Sequence, residues 1–119
     1  MICEDDPAIR TLVQAVVKRE GFDVDAARDG KSGLEKMESG CYNLVVLDLM
    51  MPDVDGYGVM EFMKNRQPES LTRVIVMSAA RDPRLKDFPA PICTLLPKPF
   101  DIDQLVVAVR NCSKACEDD

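Results

Sequence analysis

The chain has 119 residues, of which 46% are hydrophobic and 30% are charged, and its formal net charge is −6. A chain of this size and composition suits one soluble, globular domain, and its acidic balance argues against a surface that binds nucleic acid directly, which would need clustered Lys and Arg. There is no run of about 18 apolar residues, and acidic residues occur as early as Glu4, so we expect neither a membrane-spanning helix nor a signal peptide.

Strand and helix patterns alternate along the whole chain. Near-continuous apolar runs predict strands, helical spacing of apolar residues predicts helices, and Asp6-Pro7 supplies an N-cap and a first residue for the first helix. Strands are predicted at 1–4, 22–26, 44–47, 74–77 and 92–96, and helices at 7–20, 31–39 and 57–66, between Asp82 and Pro89, and after Asp101. The inner faces of the first and last helices are predicted to consist of Ile9, Leu12, Val13, Val16 and Val17, and of Ile102, Leu105, Val106 and Val109.

Five strand–helix repeats at this spacing predict a parallel sheet with helices on both faces, which is a three-layer, doubly wound α/β fold. No linker or low-complexity segment interrupts the repeats. We therefore predict a single domain over residues 1–119, without an effector domain.

Polar residues follow the predicted strands at the edge where doubly wound folds bind ligands. Glu4 and Asp5 end the first strand, Asp48 the third, Ser78 the fourth and Lys98 the fifth. The carboxyl ends of parallel strands form one rim, so these side chains should meet there. Carboxylates that are brought together repel each other unless a proton or a cation lies between them. Because the donors are oxygens and the chain contains no His, a hard cation such as Mg²⁺ is favoured.

A hydroxyl and an ammonium beside these carboxylates would form a cradle for a phosphoryl group. Asp can act as a nucleophile and form an aspartyl phosphate. Phosphoryl transfer mainly requires positioning and charge neutralisation, which a metal ion and a Lys provide. The sequence therefore predicts phosphoryl transfer to one of the carboxylates at this rim.

The segments ICEDDPAIR, VVLDLMMPDVDG, VIVMSA and LLPKPF resemble the response regulator receiver family, and the resemblance extends over essentially the whole chain. It implies a flavodoxin-like (βα)5 fold with strand order 2-1-3-4-5 and phosphorylation of Asp48. It also implies a Mg²⁺ or Mn²⁺ ion held by Asp5, Asp48 and the backbone carbonyl of Met50, with Glu4 acting mainly through water.

The resemblance further implies that Ser78 and Lys98 contact the phosphoryl group and that the Lys98–Pro99 peptide bond is cis. The chain would be a cytoplasmic signalling module with self-catalysed phosphorylation and dephosphorylation, not an enzyme that acts on a metabolite. Its partners would be a sensor histidine kinase or a histidine phosphotransfer protein and a downstream effector, and a homodimer is left open. The family usually has an aromatic switch residue three positions before the lysine. This position is Leu95 here, so the readout is expected to depend on the loop at 79–91 instead.

Other functions fit parts of the pattern. A haloacid-dehalogenase-like phosphatase also uses a strand-end Asp and Mg²⁺, but it needs a second acid two positions later, where this chain has Met50. A degenerate receiver that binds partners without phosphorylation is disfavoured by the intact Asp5, Asp48 and Lys98. A nucleotide-binding flavodoxin-like domain would need a glycine-rich phosphate loop after the first strand, and this segment has none. Glu4 and Asp5 could also act only as helix-capping acids.

The five cysteines are odd in number and irregularly spaced, which is typical of free thiols in a reducing cytoplasm. They are Cys3, Cys41, Cys93, Cys112 and Cys116. Cys112 and Cys116 could share a helix face, but a metal site there would need further ligands.

Overall fold

The computed structural model describes residues 1–39, 42–51, 55–66, 68–79 and 92–117. The strands are β1 (Ile2–Cys3), β2 (Ala26–Ala27), β3 (Val45–Asp48), β4 (Val74–Ala79) and β5 (Thr94–Lys98). The helices are α1 (Pro7–Arg19), α2 (Gly30–Ser39), α3 (Gly56–Arg66) and α4 (Ile102–Glu117), and a 3-10 helix (Pro68–Arg73) precedes β4. The predicted helix between Asp82 and Pro89 lies outside these ranges. Within them, no helix combines the length and the apolar character needed to cross a membrane.

The five strands form one parallel sheet in the order β2-β1-β3-β4-β5. Ile2 pairs with Ala26 on one side and with Val46 on the other, and Ile75 pairs with Val46 and with Thr94. This arrangement confirms the predicted doubly wound fold and its strand order. It also makes β1 and β3 neighbours, while β4 separates β3 from β5.

The sheet buries an apolar cluster on each face. In β3, Val45 and Leu47 pack in one cluster with Met37 of α2 and Met60 of α3, whereas Val46 packs in the other with α1 and α4. Successive strand residues point to opposite faces, so a strand covered on both sides must be apolar at every position. This explains the uninterrupted apolar runs from which β3 and β4 were predictable.

Each of the four described α-helices is preceded by an Asp that caps its free backbone N–H groups. The carboxylates of Asp6, Asp29, Asp55 and Asp101 accept hydrogen bonds from the N–H groups of Ala8, Ser32, Gly58 and Gln104 at 2.9, 2.7, 3.1 and 2.8 Å. Such caps satisfy donors that have no partner within the helix. Because each of these helices follows a parallel strand, all four begin at the carboxyl edge of the sheet.

The predicted bounds of the second and fifth strands are wrong, and the other three strands differ from their predicted bounds by one or two residues. The second strand is Ala26–Ala27, not 22–26. Its pairing with β1 begins only at Asp25, whose carbonyl accepts from the N–H of Ile2 at 2.9 Å. The fifth strand extends to Lys98 and includes Pro97, because β5 is an edge strand and its outer side needs no hydrogen-bond donor.

The apolar stripes of α1 and α4 are wider than their contact with the sheet. Val13, Val16, Val17, Leu105 and Val109 are buried as predicted. Leu12 and Ile102 are 37% and 47% exposed, so their assignment to the inner faces is wrong.

The prediction of free thiols is wrong for two of the cysteines. Cys93 and Cys112 form a disulfide, with their α-carbons 5.9 Å apart, whereas Cys3 is a buried free thiol. The side chains of Cys41 and Cys116 lie outside the described part of the chain. The pairing depends on the start of β5 meeting the inner face of α4, which cysteine spacing alone does not show.

Helix α2 approaches β1 so closely that a side chain at Gly33 has no space. A Cβ atom built at Gly33 would lie 2.7 Å from Sγ of Cys3. Cys3 is completely buried, so its sulfur cannot move into solvent.

We expect Gly33→Ala to lower the free energy of unfolding by about 1–3 kcal/mol, the usual cost of overpacking a core. Helix propensity alone would act in the opposite direction, because Ala is the better helix former by up to about 1 kcal/mol. Adding Cys3→Ala should recover most of the loss, because it removes the overlapping sulfur. Urea denaturation of both single variants and the double variant measures this coupling. Strictly additive losses would show that the overlap is not the cause.

Candidate functional site

Two carboxylates and one ammonium group meet at the carboxyl edge of the sheet. Nζ of Lys98 lies 2.8 Å from Oε1 of Glu4 and 3.4 Å from Oδ2 of Asp48. Glu4 is completely buried and Asp48 is 3% exposed, whereas the Lys98 side chain is 24% exposed. Buried carboxylates need a paired charge or hydrogen bonds. Lys98 provides the paired charge for both.

The surroundings shift the pKa values of Glu4 and Lys98. Burial and the neighbouring Asp48 carboxyl raise the pKa of Glu4, and Lys98 only partly offsets this. Burial acts to lower the pKa of Lys98, but the hydrogen bond to Glu4 and the charge of Asp48 raise it above its usual value. Lys98 therefore remains a fixed positive charge at neutral pH.

The first turn of α1 fixes the acidic segment that follows β1. Nη1 of Arg10 donates to the carbonyls of Glu4 and Asp5 at 3.0 and 3.4 Å. The N–H of Glu4 donates to the carbonyl of Ala27 at 3.1 Å. Sequence reasoning did not identify Arg10 as part of the site. The one feature of the sequence that could have indicated this role is the position of Arg10, four residues after the capping Asp6.

Asp48 is held by the strand that it ends and by the backbone that follows. The N–H of Met50 donates to Oδ1 of Asp48 at 3.2 Å, and the N–H of Leu49 donates to the carbonyl of Met77 on β4 at 3.1 Å. Gly56, the first residue of α3, lies directly against this backbone. A Cβ atom on Gly56 would be 2.6 Å from the carbonyl oxygen of Asp48, so the absence of a side chain allows α3 to pack beside the site.

The acidic residues are close enough to share one cation. Glu4, Asp5 and Asp48 each offer a carboxylate oxygen, and these oxygens lie within 4.8 Å of one another. Among the described residues, three carboxyl groups lie near one ammonium group, so acidic groups outnumber basic ones, and Asp5 is exposed to solvent. Oxygen donors, excess negative charge and access to water suit a hard divalent ion that retains some of its hydration.

Ser78 supplies an unpaired hydroxyl on the neighbouring strand. It follows Met77, which is paired with Asp48 in the sheet. Ser78 is completely buried, and its Oγ has no hydrogen-bond partner in the described part of the chain. Leaving a buried hydroxyl unpaired costs about 1–3 kcal/mol, so a ligand oxygen at this position would be stabilised.

The remaining predicted residues lie around this cluster. Met50 places its side chain largely in solvent, at 58% exposure, and coordination through its carbonyl stays a prediction. Leu95 is half-buried and packs against the core cluster shared with α2 and α3. The Lys98–Pro99 bond is cis, as predicted.

Comparisons with known proteins agree with this geometry. A family model for the response regulator receiver domain matches residues 1–110. The response regulator ArlR of Staphylococcus saprophyticus is 33% identical over 114 residues, which cover 92% of this chain and 50% of that protein. The transcriptional activator protein PfeR of Pseudomonas aeruginosa is 36% identical over 107 residues, which cover 88% of this chain and 34% of that protein. The chain thus spans half or less of the length of these relatives.

A solved structure shows the same likeness in three dimensions. The response regulator TrrA from Thermotoga maritima, in complex with Mg²⁺-BeF, matches with a TM-score of 0.79 and 28% sequence identity, covering 93% of this chain and 95% of that one. The family match extends over most of the chain and includes every element from β1 into α4. This chain therefore belongs to the response regulator receiver domain family.

Proposed function

We propose that this receiver domain accepts a phosphoryl group on Asp48 in a reaction that depends on Mg²⁺ or a similar cation. The observation that carries the proposal is the buried Asp48 carboxylate beside Lys98, on a rim that also holds Glu4 and Asp5. The donor is the phosphohistidine of a sensor histidine kinase or a phosphotransfer protein. Residues 1–119 act as one acceptor module of a two-component system, and a downstream effector reads its state.

The geometry supports attack by a fixed carboxylate. The N–H of Met50 holds Oδ1 of Asp48, and Oδ2 lies on the side of Lys98. An Asp48 oxygen forms a bond to phosphorus while the bond from phosphorus to the donor's imidazole nitrogen breaks, and the imidazole takes a proton from solvent. Lys98 faces the charge that develops on the transferring oxygens, which is where electrostatic stabilisation lowers the barrier.

Glu4, Asp5 and Asp48 are the side chains that would hold the cation, together with the carbonyl of Met50. When bound, the ion supplies positive charge against the carboxylates and the phosphoryl oxygens. The net negative charge of the cluster supports this assignment. The structure of TrrA in complex with Mg²⁺-BeF supports it by analogy, since TrrA shares the fold and 28% of its residues.

Ser78 links the acyl phosphate to the surface. Its buried hydroxyl has no partner among the residues placed in the structure, so a phosphoryl oxygen that accepts from it gains a hydrogen bond without breaking another. This hydrogen bond would bias the end of β4 and the loop that follows it. Residues 80–91 of that loop lie outside the described residues. Leu95 offers no aromatic ring for the usual rotamer switch, so the readout depends on this loop.

The phosphatase alternative fits the site less well. It requires an acid or base two residues after the nucleophile, and the thioether of Met50 can neither give nor take a proton. Met50 also directs its side chain into solvent. The site therefore favours a domain that is itself phosphorylated on Asp48 over an enzyme that hydrolyses a phosphorylated metabolite.

We expect the wild-type chain to gain the mass of one phosphoryl group when it is incubated with acetyl phosphate and Mg²⁺. Asp48→Asn should gain none, because an amide is not a nucleophile for this transfer. Intact-mass spectrometry measures both. Asp25→Asn is a matched control, because it also removes an Asp carboxylate that binds a Lys but lies outside the site. A full gain in Asp48→Asn would exclude Asp48 as the acceptor.

We expect Asp5→Asn to raise the Mg²⁺ concentration needed for half-maximal phosphorylation by about tenfold or more, because the ion loses a charged ligand. EDTA should stop the reaction in every variant. Asp6→Asn is the matched control, since Asn caps a helix as well as Asp does and the Asp6 carboxylate caps α1. Equal Mg²⁺ dependence of the Asp5 and Asp6 variants would contradict the proposed metal site.

We expect Lys98→Met, without divalent ions, to lose about 2 kcal/mol of stability at about pH 8 and clearly less at about pH 5. Folding raises the pKa of Glu4. Between the pKa of the unfolded chain and that of the folded chain, the folded state binds more protons, so its stability falls as the pH rises through this range. Lys98 lowers the pKa of Glu4, so this pKa rises further in Lys98→Met. The variant therefore loses additional stability as the pH rises towards 8, where Glu4 has to ionise without its paired charge. Urea denaturation at both pH values measures it.

The matched control for Lys98→Met is Lys36→Met, because Lys36 pairs with Asp25 at 3.0 Å in a partly exposed ion pair. Exposed pairs contribute little, so this variant should lose only a few tenths of a kcal/mol, with the loss fading at low pH. A Lys98→Met loss that does not change between the two pH values would indicate lost packing and not unpaired charge.

A further inference from the structure

A disulfide joins the beginning of the edge strand to the last helix. Cys93 lies directly before β5, and its N–H donates to the carbonyl of Val74 on β4 at 3.0 Å. Cys112 lies on the inner face of α4 and is completely buried. The two cysteines are 19 residues apart in the chain, and the loop that their bond closes contains all of β5.

The bond adds a covalent link between an edge strand and the last helix. In the described sheet, β5 pairs only with β4. It also packs on both faces of the sheet, because Leu95 contacts one core cluster and Leu96 lies in the other with Leu105 and Val109 of α4. The disulfide therefore fixes α4 to β5 covalently at one end, while Lys98 lies at the other end of the same strand.

The two cysteine residues differ in burial. Cys93 is half-buried, whereas Cys112 is completely buried. Of the two residues, Cys93 is the more exposed, so we take its sulfur as the point of attack for a thiolate from solution. The free thiol of Cys3 gives a contrast within the chain, because burial raises the pKa of Cys3 to about 12 and leaves it an unreactive thiol.

We propose that Cys93 and Cys112 form a thiol–disulfide exchange site for low-molecular-weight thiols and disulfides, and that opening the bond releases α4 from the start of β5. The exchange chemistry itself does not require phosphorylation at Asp48. It gives the surface formed by β5 and α4 a second input, which is the redox state of the surrounding thiol pool.

The chemistry transfers two electrons. In reduction, a thiolate attacks Sγ of Cys93, the bond to Cys112 breaks, and the Cys112 thiolate leaves and takes a proton. A second thiolate then attacks the mixed disulfide and releases Cys93 as a thiol, while the two small thiols end as their own disulfide. Oxidation by a small disulfide such as oxidised glutathione is the reverse sequence.

The test uses the full chain with Cys41→Ser and Cys116→Ser, so that only Cys3, Cys93 and Cys112 remain. The protein is equilibrated in buffers with different ratios of reduced to oxidised glutathione, without Mg²⁺ or phosphodonor. It is then unfolded in N-ethylmaleimide and weighed. We expect one label per chain in oxidised buffer, three in reduced buffer, and reversible conversion between the two.

The two forms should also differ in stability and local opening. Closing a loop of this length by a disulfide should make the Tm of the oxidised form about 10 °C higher than that of the reduced form. Amide exchange over residues 105–112 should be about tenfold faster after reduction. Because oxidised and reduced forms have the same sequence, the comparison does not depend on a substitution that could impair folding.

Three outcomes would overturn the proposal. Three labels at every glutathione ratio would mean that the bond does not form, and one label at every ratio would mean that it is permanent. Equal Tm and exchange in both forms would mean that the bond does not hold α4. The control is Cys93→Ala with Cys112→Ala in the same background, and its Tm should be independent of the glutathione ratio. A redox-dependent shift in that control would place the effect elsewhere in the chain.

Discussion

Burial of Glu4 and Asp48 beside a single ammonium group is the interaction on which the arrangement of this domain depends. The two carboxylates lie on neighbouring strands, β1 and β3, and would repel each other if nothing stood between them. The neutralising charge comes from β5, on the far side of β4 from Asp48. A long side chain is needed to reach both carboxylates from β5, and that of Lys98 is long enough.

The same edge of the sheet carries the N-termini of the described helices. Their backbone dipoles place partial positive charge at the rim, which moderates the repulsion among its acidic groups. Part of that charge is already used by the capping Asp residues. The rim therefore combines an excess of acidic groups with the fixed positive charge of Lys98. Such a site suits a negatively charged group whose charge is neutralised by a metal ion and by Lys98.

Much of this arrangement could be predicted because it follows from periodic patterns and parallel topology. The rule that strand ends share one rim selected Glu4, Asp5, Asp48 and Lys98, which the structure brings together. The errors occur where the pattern carries little information. A two-residue strand such as β2 has no periodicity to detect. Leu12 matches an apolar stripe, but whether the sheet covers it depends on how α1 is rotated and where α4 lies.

The bond between Cys93 and Cys112 was the least predictable contact, and it involves the start of β5. Cys93 and Cys112 are ordinary thiols in the sequence, and they become a bonded pair only because β5 and α4 pack side by side. Lys98 ends the same strand, where it meets Asp48 and also Glu4, which is 94 positions earlier in the chain. One edge strand therefore carries the cation of the acidic site at its end and follows directly after one half of the covalent link to the last helix. A shift of β5 relative to β4 must therefore move both Lys98 and the disulfide. In this way, β5 connects the acidic site to the surface of α4.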